Sequence, residues 1–409
     1  MSKTVMLLGT LDTKGREYAF VKELIEARGL KTFVLDAGVL GEPTFTPDSP
    51  ASLTAEAGGS TLAALREKRD RGYALEIMGI GARKLALEFL AQGKFDGVIT
   101  MGGSGNTSIG ATAMQGLPVG MPKLIVSTMA SGDVGPYIGV KDVTMMYSVV
   151  DVSGVNRVSR QIYANAAGAI SGMVEQEKPK AAEKPLFGAT MFGVTTPCVD
   201  RIRERMDAAG YEMLVFHAVG SGGRAFEALI KDGFFNGVFD VTTTEWCDEL
   251  VGGVLSAGPE RLDAAARKGV PQVVSLGALD MVNFGPKDTV PEKFKNRLIY
   301  VHNPQVTLMR TTPEECAELG KIIAEKLNKT TGPTALFIPL KGVSAIDVEG
   351  MPFYDPVADK ALFEAIRAHL DRSKVELIEL DMAINDPAFA DAMVEKLAAL
   401  QSKVPAASK

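Results

Sequence analysis

The chain has 409 residues, which at about 150 residues per domain points to two or three domains. With 46% hydrophobic and 23% charged residues it has ample material for buried cores, so global disorder is excluded. Its net charge of -6 offers no basic field for phosphate neutralisation, and no nucleic-acid partner is expected. Cys198, Cys247 and Cys316 lie far apart with no C-x-x-C, so a zinc ribbon and a redox dithiol lack their ligands. Only His217, His302 and His369 are available as imidazole ligands, so any metal is expected to be oxygen-bound, as Mg²⁺ arriving with phosphates. The apolar run Val5 to Leu8 is too short for a signal-peptide core, and no stretch approaches the length of a membrane span. Together with the odd cysteine count, these features predict a cytoplasmic protein with reduced thiols.

Val5 to Leu8 reads as a strand running into Gly9-Thr10-Leu11-Asp12-Thr13-Lys14-Gly15, after which Phe20, Val21, Leu24 and Ile25 recur at helical spacing. Lys31 to Leu35 is a second strand, ending at Asp36. A helix is expected over about 74 to 91, then strands at Phe95 to Met101 and Lys123 to Val126. Glu175 to Pro185 is charged, Pro-containing and poor in large apolar residues, and reads as a linker. The rhythm then restarts, with strands expected at Phe187 to Val194, Tyr211 to Phe216, Gly237 to Val241, Pro271 to Leu276, Thr334 to Leu340 and Val375 to Leu380. Ser402 to Lys409 reads as a frayed tail.

Strands alternating with helices mean βαβ units and parallel sheets. The fold class expected is α/β: two Rossmann-like subdomains, 1–180 and 186–409. Each is a mostly parallel sheet with helices on both faces, and the short linker joins them. The order of elements in the second half repeats that of the first. Polar clusters lie at the carboxyl ends of the strands, where open α/β sheets bind ligands, so a cleft lined by both lobes is expected.

Gly102-Gly103-Ser104-Gly105-Asn106-Thr107-Ser108 follows a strand and opens a helix. Glycines let a backbone approach an anion, and the helix start adds N–H donors and partial positive charge, which suits phosphate or carboxylate. The plainer reading is a tight turn with Asn106, Thr107 or Ser108 as an N-cap. In Thr10 to Lys14, Lys14 suits a phosphate and Asp12 suits Mg²⁺ or a hydroxyl, against Asp12 or Thr13 as a cap and Lys14 in solvent. The stretch from Ser127 through Ala130, Ser131 and Gly132 to Asp133 closes the next strand and is expected near both loops. Asp36 suits ribose hydroxyls, or else caps a turn. No Gly-Lys-Ser/Thr occurs, so a Walker A loop is excluded.

In the second half, Gly220, Gly222 and Ala225 form a Gly-x-Gly-x-x-Ala with Asp240 about 20 residues on, a weak dinucleotide fingerprint. Around it stand His217, Arg224, Glu245, Asp280, Asn283, His302 and Arg310. We expect His217, Arg224, Glu245, Asp280 and Asn283 to converge at strand ends, His217 as general base and Arg224 as anion clamp. A half-buried His and a surface Arg are the ordinary alternative. Cys198 and Cys247 read as small core residues.

The strings GTLDTKG, MGGSGNTS, STMASGD, MFGVTTPCV, VFHAVGSGGRA, TTTE, GALDMVNFGP and LMRTT, in order over nearly the whole chain, resemble the family of the tomato mosaic virus resistance protein's ATP-binding domain and its bacterial relatives. The resemblance implies two Rossmann-like subdomains with ATP and Mg²⁺ on the first. In the plant protein this region binds a viral replication protein. Asn106 stands where glycine is expected in the plant protein. The plant protein also continues into a phosphoenolpyruvate-hydrolase-like barrel, so a separate barrel protein is an expected partner. The leading expectation is a cytoplasmic ATP-binding protein, a homodimer by the commonness of two-fold closure. The alternatives are a catabolic enzyme acting on a carboxylated or phosphorylated small molecule, a nicotinamide-dependent oxidoreductase using the Gly220 loop, and a non-catalytic partner-binding module.

Overall fold

The computed structural model describes residues 2–177 and 184–402. The chain divides into two compact units, Met1–Lys180 and Ala181–Lys409. Residues 178–183 of the expected linker and 403–409 of the expected tail lie outside the described residues.

In the first unit a 5-stranded sheet is built from β1 (Thr4–Gly9), β2 (Lys31–Asp36), β3 (Gly97–Gly102), β4 (Lys123–Ser127) and β5 (Thr144–Tyr147). Every pairing is parallel, in the order β2-β1-β3-β4-β5. The helices in chain order are α1 (Leu11–Glu26), α2 (Ala51–Ala57), α3 (Leu62–Lys68), α4 (Arg71–Ala91), α5 (Ser104–Gly116), α6 (Gly135–Ile138) and α7 (Arg157–Glu175). Both faces are covered, which is why the central strands read as unbroken apolar runs. Side chains alternate across the sheet. Val5 and Leu7 join Tyr18 of α1 and Ile170 of α7 in one core. Met6 and Leu8 join Met78 of α4 and Ile109 of α5 in the other. Helix α4 tolerates Gly81 in its interior because α2 lies against it: a Cβ there would stand 1.8 Å from the Thr54 carbonyl oxygen.

The second unit repeats this plan and enlarges it. Its strands are β6 (Leu186–Met191), β7 (Glu212–His217), β8 (Gly237–Thr242), β9 (Gln272–Gly277), β10 (Met281–Phe284), β11 (Ile299–Asn303), β12 (Val306–Arg310), β13 (Thr334–Pro339) and β14 (Val375–Leu380). Its helices are α8 (Thr196–Ala208), α9 (Ser221–Asp232), α10 (Glu245–Val251), α11 (Asp263–Lys268), α12 (Pro313–Leu327), α13 (Pro356–His369) and α14 (Pro387–Gln401). A 6-stranded parallel sheet runs β14-β13-β9-β8-β6-β7. Read from its far edge, β7-β6-β8-β9 reproduces β2-β1-β3-β4, so the repeat legible in the sequence is a repeat of strand order. Alternation again divides the core: Val273 and Phe337 pack with α8 and α14, Val274 and Leu336 with α12 and α13. A 3-stranded antiparallel sheet, β10-β12-β11, departs from the expected pattern. Asp280, Asn283, His302 and Arg310, read as flanking strand ends or loops, lie in or beside its strands. Among the described residues no helix is long and apolar enough to cross a membrane.

Candidate functional site

In the first unit the strand order reverses between β1 and β3, which is where doubly wound sheets open a ligand crevice. The ladder between them pairs Val5 with Gly97 through Leu8 with Thr100. Beyond it the buried Tyr18 hydroxyl takes over. It lies 2.7 Å from the Leu8 oxygen and 3.1 Å from the Met101 oxygen, and accepts from the Met101 N–H at 2.7 Å. Gly9 makes room for it, since a Cβ there would stand 2.1 Å from that hydroxyl. Burial pushes the Tyr18 phenol well above its ordinary pKa, so it stays a neutral strut.

Above this strut lies a cavity of about 840 Å³. The loop after β1 supplies Thr10, Asp12, Thr13 and Lys14, the loop after β2 supplies Val39 and Leu40, and the loop after β3 supplies Gly103 to Asn106. Asp70, Arg71 and Ala74 at the start of α4 complete the rim. Three helices, α1, α4 and α5, therefore begin at this cavity. The first N–H groups of a helix have no partner within it and carry partial positive charge. Asp70 caps α4 through the Tyr73 N–H. Thr10 and Gly103 supply no side-chain cap to α1 and α5. Lys14, Arg66, Arg69 and Arg71 add four cationic side chains against Asp12, Asp70 and Asp151. Arg66 is tied to the carbonyls of Val39 and Gly41, which fixes the β2 loop. Leu65, Leu75, Met78 and Ile109 form an apolar wall.

Of the residues read from the sequence as ligand-binding, Thr10, Asp12, Thr13, Lys14, Gly103, Ser104, Gly105 and Asn106 line this cavity. The Asp12 Oδ2 atom accepts from Leu40 and Gly41 N–H groups, while Oδ1 is buried without a protein donor. Gly102 is the last residue of β3. Asp36 is not among the residues that line this cavity. It is 2% exposed, and its Oδ1 accepts from the N–H groups of Leu11 and Gly38 at 3.0 and 2.9 Å. It ties the β1 and β2 loops together, the turn-capping alternative, and burial raises its pKa against those hydrogen bonds. Thr107 and Ser127 are buried and share a 2.6 Å hydroxyl contact, so they hold α5 to the end of β4. Ala130, Ser131 and Gly132 lie at the end of the short 3-10 turn after β4 and are not part of the cavity wall.

In the second unit the five expected residues are divided among different surroundings. His217 is exposed and tilted against Phe192, and Arg224 is exposed and donates to the Ser256 oxygen. Glu245 is buried: Oε1 accepts from the N–H groups of Gly220 and Gly223, and Oε2 from Arg261 Nε at 2.7 Å. Arg261 also forks onto Asp240 at 2.5 and 2.6 Å and reaches Glu227 at 3.3 Å. Burial would lower the Arg261 pKa, but Asp240 and its companions hold it well above the usual value. The Gly220 turn is thus pinned from below by a carboxylate, and Asp240 is consumed by an arginine.

Asp280 and Asn283 are likewise enclosed. Asn283 binds Asp248 through its N–H and side-chain amide at 2.8 and 2.7 Å. Asp280 accepts from Ser344 and belongs to a buried group around Arg310, whose Nη2 reaches Asp347 at 2.9 Å and Asp359 at 2.6 Å. Burial pushes Asp280 up to about 6, and burial with its acidic neighbours pushes Asp347 up to about 9. All three cysteines are buried and free, as core residues should be.

Residues 3–179 match the N-terminal domain of the uncharacterised protein family UPF0261, and residues 184–401 match its C-terminal domain. The chain belongs to family UPF0261. A UPF0261 protein of Clostridium tetani is 54% identical over 404 residues, 98% of this chain and 100% of that one. The ToMV resistance protein Tm-1(GCR237) of Solanum lycopersicum is 40% identical over 427 residues, 98% of this chain and 56% of the plant protein. The resemblance carried by GTLDTKG and its companions is therefore a true kinship. Among solved structures, the glycosyltransferase SnogD from Streptomyces nogalater aligns over 98% of this chain at 11% identity and a TM-score of 0.22, too slight a likeness to carry an argument.

Sequence reasoning missed the basic rim of this UPF0261 chain, Arg66, Arg69 and Arg71. The signal was present, since the charged run REKRDR, residues 66–71, leads into the first residue of α4. It also missed Arg261, which precedes the short helix α11, and Glu227, a buried acid within the amphipathic helix α9.

Proposed function

We propose that the first unit of this UPF0261 protein binds a nucleotide, ATP, at the carboxyl ends of β1, β2 and β3. The observation that carries this reading is the convergence of three helix N-termini and four cationic side chains on one cavity whose remaining wall is apolar. Unpaired N–H groups at the start of α5, with Lys14 beside them, suit a polyphosphate. The wall of Leu65, Leu75, Met78 and Ile109 suits a flat base, and 840 Å³ is ample for a nucleotide.

No group of three or more His, Cys, Asp or Glu able to hold a metal occurs among the described residues. A Mg²⁺ ion held mainly by phosphate oxygens fits nonetheless, because the buried Asp12 Oδ1 lacks a protein donor and is a hard oxygen ligand. When bound, the ion would screen phosphate charge. The chain's own part is to cradle the phosphates by backbone N–H groups, to clamp them by Lys14 and Arg71, and to exclude water from the base. Titration calorimetry of the full chain with ATP, with and without Mg²⁺, tests this. Saturable binding supports it, and absence of heat up to millimolar ATP in both conditions refutes it.

A further inference from the structure

Asn106 sits in the first turn of α5 and folds back over the end of β3. Its Nδ2 donates to the Met101 carbonyl oxygen at 2.9 Å. The absence of a side chain at Gly102 permits this, since a Cβ there would stand 2.6 Å from the Asn106 Cβ. A carbonyl oxygen only accepts, so the amide orientation is fixed and Oδ1 is the remaining acceptor. The residue is 6% exposed and lines the cavity, and no described residue donates to Oδ1. A cap or a strut to β3 accounts for Nδ2 alone.

A buried acceptor at an anion site is unfavourable for a phosphate oxygen and favourable for a donor. Asp36, at the end of β2, does not line the cavity, and its Oδ1 already accepts from the N–H groups of Leu11 and Gly38. We infer that Asn106 Oδ1 accepts a hydrogen bond from a sugar hydroxyl of the bound anion, so that the site selects ribose-bearing over deoxyribose-bearing phosphates. The inference rests on the anion-binding reading of the same cavity and adds to it a specificity-determining residue. An anionic end on the helix N-termini, a hydroxyl at the crevice floor and an apolar end against α4 describe a ribonucleotide.

The experiment compares ATP, 2′-deoxyATP and 3′-deoxyATP by calorimetry on the full chain, together with ribose 5-phosphate and 2-deoxyribose 5-phosphate. A lost hydrogen bond to a buried acceptor is expected to weaken at least one deoxynucleotide by about ten-fold. Asn106→Gly, checked for folding by circular dichroism, is expected to bring ATP and that deoxynucleotide within about two-fold of each other. Equal affinity of the unaltered protein for ATP and both deoxynucleotides overturns the inference while leaving nucleotide binding standing. Retained discrimination in Asn106→Gly overturns it too. If no nucleotide binds, the nucleotide reading fails and the pentose phosphates decide: preference for the ribose form sustains the role of Asn106, and equal or absent binding ends it.

Discussion

Replacing Arg261 by leucine tests whether Glu245 and Asp240 are structural. Arg261 is 1% exposed and faces three carboxylates, Glu227, Asp240 and Glu245. The substitution deletes the cation that contacts all three and leaves the carboxylates in place. Breaking a buried pair in this way costs about 3–5 kcal/mol, because the stranded charge keeps its desolvation penalty. For a domain of this size each kcal/mol moves the melting temperature by about 2–4 °C, so the second unit should melt roughly 6–20 °C lower. Scanning calorimetry of the full chain is the suitable assay, since two units need not unfold together. The pH dependence supplies an internal check. Burial already raises the Glu227 pKa with Arg261 present, and loss of the arginine raises it further. A carboxyl whose folded pKa exceeds its unfolded one contributes stability at low pH and loses it as pH rises through the folded pKa. The deficit should therefore be smaller at pH 5 than at pH 8. A drop below about 2 °C, or the same drop at both pH values, would refute the assignment of Arg261 as counter-charge to a buried acidic cluster.

Three further outcomes are expected. Lys14→Ala should weaken ATP by about ten-fold and leave adenosine unchanged in parallel calorimetric titrations, because the lost contact is to phosphate; equal losses would make Lys14 structural. Asp248 is pushed up to about 7 by burial, so the native chain holds a proton that the unfolded chain releases above about pH 4, and stability falls as pH rises between those values. Asp248→Asn should flatten that slope in urea titrations at pH 5 and pH 8, with Asn283, whose Oδ1 has no donor, turning its amide to accept; an unchanged slope contradicts the assignment. Tyr18→Phe removes the bridge from Leu8 to Met101 and should destabilise the first unit by about 1–3 kcal/mol, read from its calorimetric transition.

What the sequence determined by itself is the layered α/β plan. Strands buried on both faces must be continuous apolar runs, and those runs are local signals: Lys123 to Val126 was expected and Lys123–Ser127 observed, and Val375 to Leu380 was met in full. The loops at their carboxyl ends were legible for the same reason, and with them the eight cavity residues from Thr10 to Asn106. The small antiparallel sheet escaped because β10, β11 and β12 have 4 or 5 residues and too few alternations to register. Roles of charged side chains escaped more completely. A strand-end Asp looks the same in sequence whatever partners it meets, and the Asp36 Oδ1 meets N–H groups 25 and 2 residues away. Glu245 has the composition of a catalytic acid and the surroundings of a strut, because Arg261 arrives from 16 residues further along the chain. Which hydrogen bonds a polar group makes depends on side-chain direction and on partners distant in sequence. The tertiary structure alone sets these, and so it alone separated the lined cavity of the first unit from the filled acidic clusters of the second.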